Sequence, residues 1–118
     1  MQDKIVINDY IENDPLSEEN LDKTLETVNR FRLLFPNKSI WVYSGYRWSD
    51  IFNDGVYLTK DCAGWKRREI AKQCDVIVDG KYIDSQRDVS LAYRGTKNQR
   101  VINCQQSIQN GTIILWEC

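Results

Sequence analysis

At 118 residues, 42% of them hydrophobic, the chain has material for one core, and residues 1–118 read as a single domain. Acidic and basic residues nearly cancel, at a formal net charge of −1, which argues against a nucleic-acid or polyanion partner. No apolar run approaches the roughly 18 residues that a membrane span needs, and the opening MQDKIVINDY has neither the basic start nor the apolar stretch of a signal peptide. The expected compartment is the cytoplasm, with no membrane partner.

In chain order, Lys4 to Ile7 reads as a short strand. Asp14-Pro15-Leu16 then leads into a helix with Ser17 at its N-cap and Glu18 and Glu19 in its first turn, where they complement the helix dipole. Leu21, Leu25, Val28 and Phe31 recur at helical spacing, Arg30 and Arg32 suit the last turn, and Pro36-Asn37 ends the helix. Ser39 to Ser44 is nearly continuous apolar and aromatic residues, the pattern of a strand buried on both faces in a parallel sheet. Gly45 breaks it, and Tyr46 to Phe52 reads as a short helical turn. Residues 53–64 read as irregular, exposed and mobile. A second helix covers about Trp65 to Gln73, and the cluster Lys66-Arg67-Arg68 within it reads as a solvated face.

Asp75 to Gly80 is a second buried strand. The alternation of strand and helix predicts an α/β fold with crossover-linked parallel strands. Val101 to Cys104 and Thr112 to Trp116 read as two strands joined through Asn110-Gly111, a C-terminal hairpin. Lys81 to Leu91 has no clear assignment.

Histidine is absent, which removes the commonest general base and the commonest imidazole ligand. Cys62, Cys74, Cys104 and Cys118 lie far apart, whereas a metal or cluster site usually places two ligands on one tight loop. No metal ligand and no catalytic residue is assigned. Ligands of parallel α/β sheets gather at the carboxyl ends of the strands. Ser44-Gly45-Tyr46 and Asp79-Gly80-Lys81 stand there, each also explicable as a glycine turn. The polar block Arg94-Gly95-Thr96-Lys97-Asn98-Gln99-Arg100 offers bidentate donors, close backbone approach and amide groups. It suits an anionic ligand or a protein surface, and equally a surface turn. Trp41, Trp48, Trp65 and Trp116 lack the spacing of a stacking platform and read as core aromatics.

Four segments, DPLSEENLDKTLETVNRF, IWVYSGY, CDVIVDGKY and RGTKNQRVI, resemble in order and spacing the anaerobic ribonucleotide reductase activating proteins, a radical S-adenosylmethionine (SAM) family. The resemblance implies a partial radical-SAM-type barrel. In that family a Cys-x3-Cys-x2-Cys loop binds a [4Fe-4S] cluster that chelates SAM, and the resulting 5′-deoxyadenosyl radical abstracts hydrogen from a glycine of the reductase catalytic subunit. Carried over by motif, Asp14, Ser44, Gly45 and Asp79 are the cofactor-binding candidates, with Asp14 near the SAM amino group. Arg94, Gly95, Asn98 and Gln99 are the candidates for contact with ligand or reductase.

The chain departs from the family twice. It has no such cysteine loop, and Glu12-Asn13 occupies the place of paired glycines before Asp14-Pro15, where side chains would crowd the SAM amino-acid portion. Residues 1–13 read as a leader unlike the family, and 14–118 as its C-terminal part. The expectation is a truncated activating protein, inactive alone and without a cofactor of its own. The alternative is a non-catalytic module that binds the reductase or a complementing chain. Either way the sheet would have an exposed edge and uncovered apolar surface, which Lys4 to Ile7 partly covers.

Overall fold

The computed structural model describes residues 3–52 and 62–117. A four-stranded sheet runs in chain order through β1 (Lys4–Val6), β2 (Ser39–Ser44), β3 (Val76–Asp79) and β4 (Arg100–Asn103). The first three strands are parallel, as the crossover reading expects, and β4 is antiparallel to β3, so the α/β class holds with a mixed sheet. Helices α1 (Leu21–Leu34), α2 (Trp48–Ile51), α3 (Ala63–Gln73) and α4 (Cys104–Asn110) complete it. None is long and apolar enough to cross a membrane.

Two apolar layers explain the unbroken hydrophobic strands. Ile5, Ile40, Val42, Ile77 and Ile102 face Leu21 and Val28 of α1 and Ile70 and Ala71 of α3. On the other face, Trp41, Val76 and Val78 are fully covered, with Tyr93 and Trp116 packed against them. The Trp41 ring lies 5.2 Å from Tyr93 and 5.7 Å from Trp116, and Lys4 Nζ sits 4.3 Å above it. Over Trp41, Val76 and Val78 the sheet is covered by Tyr93 and Trp116 of this chain, while Leu33, Leu34 and Leu115 remain exposed.

That segment is not the expected hairpin. Asn103 Oδ1 accepts from the Gln106 amide at 3.0 Å and starts α4, and Gly111, at φ +69°, ends it. Asn-Gly serves a tight hairpin and a helix C-terminus by the same left-handed backbone, which is why the motif misleads. After α4 the chain returns beside β4, where Asn103 N–H donates to Ile114 at 2.8 Å and Trp116 N–H to Val101 at 2.9 Å.

Other boundaries also move. Ser17 does precede the helical entry, but Glu18–Asn20 form a 3₁₀ turn before α1, and the Ser17 hydroxyl donates to the Asp14 carbonyl instead of capping. Of the segment 53–64, residues 53–61 lie outside the described residues. Cys62 and Ala63 are already ordered, the Cys62 sulfur accepting from the Trp65 amide as cap of α3. Arg67 and Arg68 point inward and do not form a solvated face. Arg67 Nε donates to the Leu16 carbonyl at 2.8 Å, and Arg68 Nε to the Ile51 carbonyl at 3.0 Å.

At the amino end of the sheet, Asp75 Oδ2 accepts from Ile40 N–H and Arg32 Nη2, both at 2.8 Å, tying α1 to β2 and β3. At the other end β1 is continued by a side chain. The Asn8 amide donates to Tyr43 O at 2.9 Å and accepts from Tyr43 N at 2.8 Å, as a peptide group would. The turn onward to α1 passes through Asn13 at φ +64°. Asparagine is among the few non-glycine residues that tolerate this region, whereas β-branched residues do not. Asn13→Val is therefore expected to lower stability by about 1–2 kcal/mol in urea unfolding, and Asn13→Gly to leave it within about 0.5 kcal/mol.

Candidate functional site

The carboxyl ends of β2 and β3 carry the candidate site. Asp14, at the entrance to the first helical segment, reaches the end of β2 and accepts three hydrogen bonds. Its Oδ1 takes Ser44 Oγ at 2.8 Å and Leu16 N–H at 2.9 Å, and its Oδ2 takes Gly45 N–H at 2.8 Å. Ser44 Oγ in turn accepts from the Tyr46 amide at 3.0 Å. The Tyr46 ring is held by Arg67, which stacks on it at 4.2 Å and donates to its hydroxyl at 3.1 Å. Asp14, Ser44 and Gly45 are thus one hydrogen-bonded unit, and the inward-turned Arg67 fixes the loop that follows.

Asp79 lies opposite Ser44 in the β2–β3 register, yet its side chain enters the protein. Its Oδ2 accepts from the Trp48 amide at 2.8 Å and from Arg100 Nη2 at 2.6 Å, and its Oδ1 from Arg100 Nε at 3.1 Å. This bidentate pair holds the Arg100 guanidinium pKa above its ordinary value. The Asp79 carboxylate is fully buried and spent inside the fold.

The polar block is likewise self-engaged. Gln99 Oε1 accepts from the amides of Gly95 (2.9 Å) and Thr96 (3.1 Å), and its Nε2 donates to the Gly80 carbonyl at 3.1 Å. Asn98 Nδ2 donates to the Lys81 carbonyl at 2.8 Å, and Arg94 Nη1 to the Gln99 carbonyl at 2.6 Å. The Tyr82 ring comes within 3.0 Å of where a Cβ on Gly95 would stand, so a larger residue there would push that ring aside. The block latches the loop after β3 onto Gly80, and Arg94 is held away from the cleft by backbone carbonyls.

Two adjoining clefts open over the strand ends. One, of about 350 Å³, is lined by Asp14, Gly45, Tyr46, Asp50 and Lys81. The other, of about 340 Å³, shares Asp14, Gly45 and Lys81 and adds Tyr43, Ser44, Gly80 and Tyr82 among its walls. Burial pushes the Tyr43 phenol above its ordinary pKa, so it stays a neutral donor. A larger apolar cavity of about 400 Å³ between α2 and α4 has no titratable group on its wall among the described residues. Lys81, part of the Asp79-Gly80-Lys81 candidate, stands on both cleft walls; residue types alone do not single out Asp50.

The described residues do not fit an iron–sulfur cluster. They contain no group of three His, Cys, Asp or Glu side chains placed to hold a metal. Cys74 and Cys104 are sealed in the helix-side core, where burial, followed by neighbouring negative charge, pushes both thiols well above their ordinary pKa. A cluster ligand must be a thiolate.

Because Asp14 satisfies three donors, Asp14→Ala is expected to lower the stability of the unliganded chain by about 2 kcal/mol. Chemical denaturation checks this; a carboxylate held ready only for ligand would leave the unliganded stability unchanged.

The family model for a 4Fe-4S single cluster domain matches residues 13–102. Three similar relatives are anaerobic ribonucleoside-triphosphate reductase-activating proteins. That of Haemophilus influenzae is 34% identical over 73% of this chain and 48% of its own length. That of Escherichia coli K12 is 32% identical over 75% and 49%, and that of enterobacteria phage T4 is 33% identical over 75% and 47%. The chain spans about half the length of these relatives. No solved structure matches. With a match over residues 13–102, the chain belongs to the 4Fe-4S single cluster domain family, and the relatives it is similar to are anaerobic ribonucleoside-triphosphate reductase-activating proteins.

Proposed function

We propose that this chain is the ligand-binding and reductase-docking portion of an activating protein for anaerobic ribonucleotide reductase, without radical chemistry of its own. The observation that carries the reading is the pair of clefts at the ends of β2 and β3, built around Asp14, Ser44 and Gly45. A SAM-type cofactor is the ligand class that the family resemblance supplies, and the sheet with its crossover helices is read as part of a radical-SAM-type barrel. Within this site Asp14 and Asp79 set the loops, and the cleft walls meet the ligand. In the full activating proteins the cluster supplies the electron that cleaves SAM. The cysteine environments described above offer no equivalent here, so no such step is assigned to this chain.

A second reading, a non-catalytic module docking on the reductase or on a complementing chain, is favoured by one feature. β1 is the sheet's outer strand and pairs only with β2 among the described residues. A strand with one free edge accepts another strand by backbone hydrogen bonding.

Anaerobic reconstitution with iron and sulfide separates catalysis from binding. The expected result is no stoichiometric cluster absorbance and no 5′-deoxyadenosine from SAM, together with co-purification of the anaerobic reductase. Cluster formation with SAM cleavage would refute the non-catalytic assignment. In the same sample, Cys74 and Cys104 are expected to resist iodoacetamide at pH 8 until the chain is unfolded, because the buried thiols remain protonated there. Peptide mass spectrometry reads this, and rapid native alkylation of either would contradict the burial argument.

A further inference from the structure

The C-terminal segment prolongs the sheet beyond β4. Asn103 N–H donates to the Ile114 carbonyl at 2.8 Å and Trp116 N–H to the Val101 carbonyl at 2.9 Å, and between them Ile102 and Leu115 face each other as an antiparallel bridge. In this pattern Leu115 belongs to a non-hydrogen-bonded pair, so its own N–H and C=O point away from β4. Among the described residues no hydrogen bond of the chain takes either group, and Leu115 is 54% exposed. The sheet therefore has an open edge here as well, on the side opposite β1.

Beside that edge lies a groove of about 250 Å³, with Tyr93, Arg94, Arg100, Val101, Leu115 and Trp116 on its wall. It shares no wall residue with the two clefts at the ends of β2 and β3. Its aromatic walls are preset, because the Tyr93 and Trp116 rings both pack on Trp41. Tyr93 is held there at φ +66°, a region that aromatic residues rarely occupy. The wall carries two guanidiniums and no carboxylate. Arg100 is matched by Asp79. Arg94 is not: its Nη1 donates to the carbonyls of Lys97 and Gln99, which fix its place without cancelling its charge, and it forms no ion pair among the described residues. Asp88, an acid that feels this charge, is occupied by the Ser90 hydroxyl and amide at 2.6 and 2.9 Å. Those bonds come ahead of Lys97 and Arg94 in holding its carboxyl below the ordinary range.

A small anion would use only the cation, and an apolar ligand only the groove. An extended peptide uses both and also pairs its main chain with Leu115. We infer that this edge and groove dock an extended acidic segment of a partner protein, which sets an apolar side chain against Tyr93 and Trp116 and a carboxylate at Arg94. The inference rests on the docking reading above and deepens it with a surface and a chemistry, without using the clefts or the β1 edge.

The test is fluorescence anisotropy of labelled eight-residue peptides with the full chain. The first peptide is threonine-rich, with a leucine and an aspartate two positions apart so that both share one face of a strand. The second has asparagine for the aspartate. Two more carry N-methyl groups on one or the other alternate set of main-chain nitrogens. The first is expected to bind about tenfold more tightly than the second, and one N-methyl set should abolish binding while the other spares it. Arg94→Gln should bring the first peptide down to the level of the second and leave the second unchanged, whereas Arg94→Lys should keep the preference. Leu115→Glu, at an exposed position, should weaken the first at least tenfold, with circular dichroism confirming the fold. Equal binding of the first two peptides, or equal effects of the two N-methyl sets, would overturn the inference. So would a dimer of the chain that Leu115→Glu dissociates, which would give the edge to a second copy. Binding of no peptide while the reductase still co-purifies would overturn the groove and leave the docking reading standing; loss of both would remove that reading as well.

Discussion

The Asp79 carboxylate is the joint on which the functional end of this molecule depends. It is fully buried, and it connects three pieces of chain distant in sequence: the β3 terminus that carries it, the start of α2 through the Trp48 amide, and β4 through Arg100. A buried charge is tolerated only when it is paired and its remaining acceptor capacity is used, and here both oxygens are engaged. Because the joint fixes the loops after β2 and β3 against each other, Gly45 and Gly80 stand side by side and the clefts have defined walls. Asp14 repeats the device one strand over, joining the first helical entry to the end of β2.

Residues 3–13 are integrated into this arrangement. β1 pairs in register with β2, and the Asn8 side chain extends that pairing to Tyr43 where the main chain has turned away. Asn13 adopts the left-handed backbone that glycine favours. Its side chain stands at the cleft margin, while the course of the chain into Asp14 is one that glycine would also adopt. On the far face Trp116 and Tyr93 cover Trp41, Val76 and Val78.

Much of the fold was legible because periodicity and strand composition report burial directly. The strand Ser39–Ser44 lies where its unbroken apolar run places it, and α1 presents the Leu21, Leu25, Val28 and Phe31 stripe to the core. What misled was chemistry shared between structures: Asn110-Gly111 fits a hairpin and a helix terminus alike. The direction of Arg67 and Arg68 was not legible either, since a basic run on a helix gives no sign of which cations bend inward to carbonyls. At the candidate site, the residues named by motif, Asp14, Ser44, Gly45 and Asp79, meet at the carboxyl ends of β2 and β3. Whether each side chain faces solvent or interior depends on partners such as Arg100 and the Trp48 amide, 21 and 31 residues away.

The measurement that bears most directly on this account is a double-mutant cycle between Asp79 and Arg100, with Asp79→Ala, Arg100→Ala and the double variant compared by urea unfolding. Both single variants should be destabilised, and the account predicts a coupling energy of about 1.5 kcal/mol or more, since each residue leaves the other's charge without its partner. Additive effects, with coupling near zero, would show that the buried carboxylate does not hold the strand ends together and would contradict the account at its base.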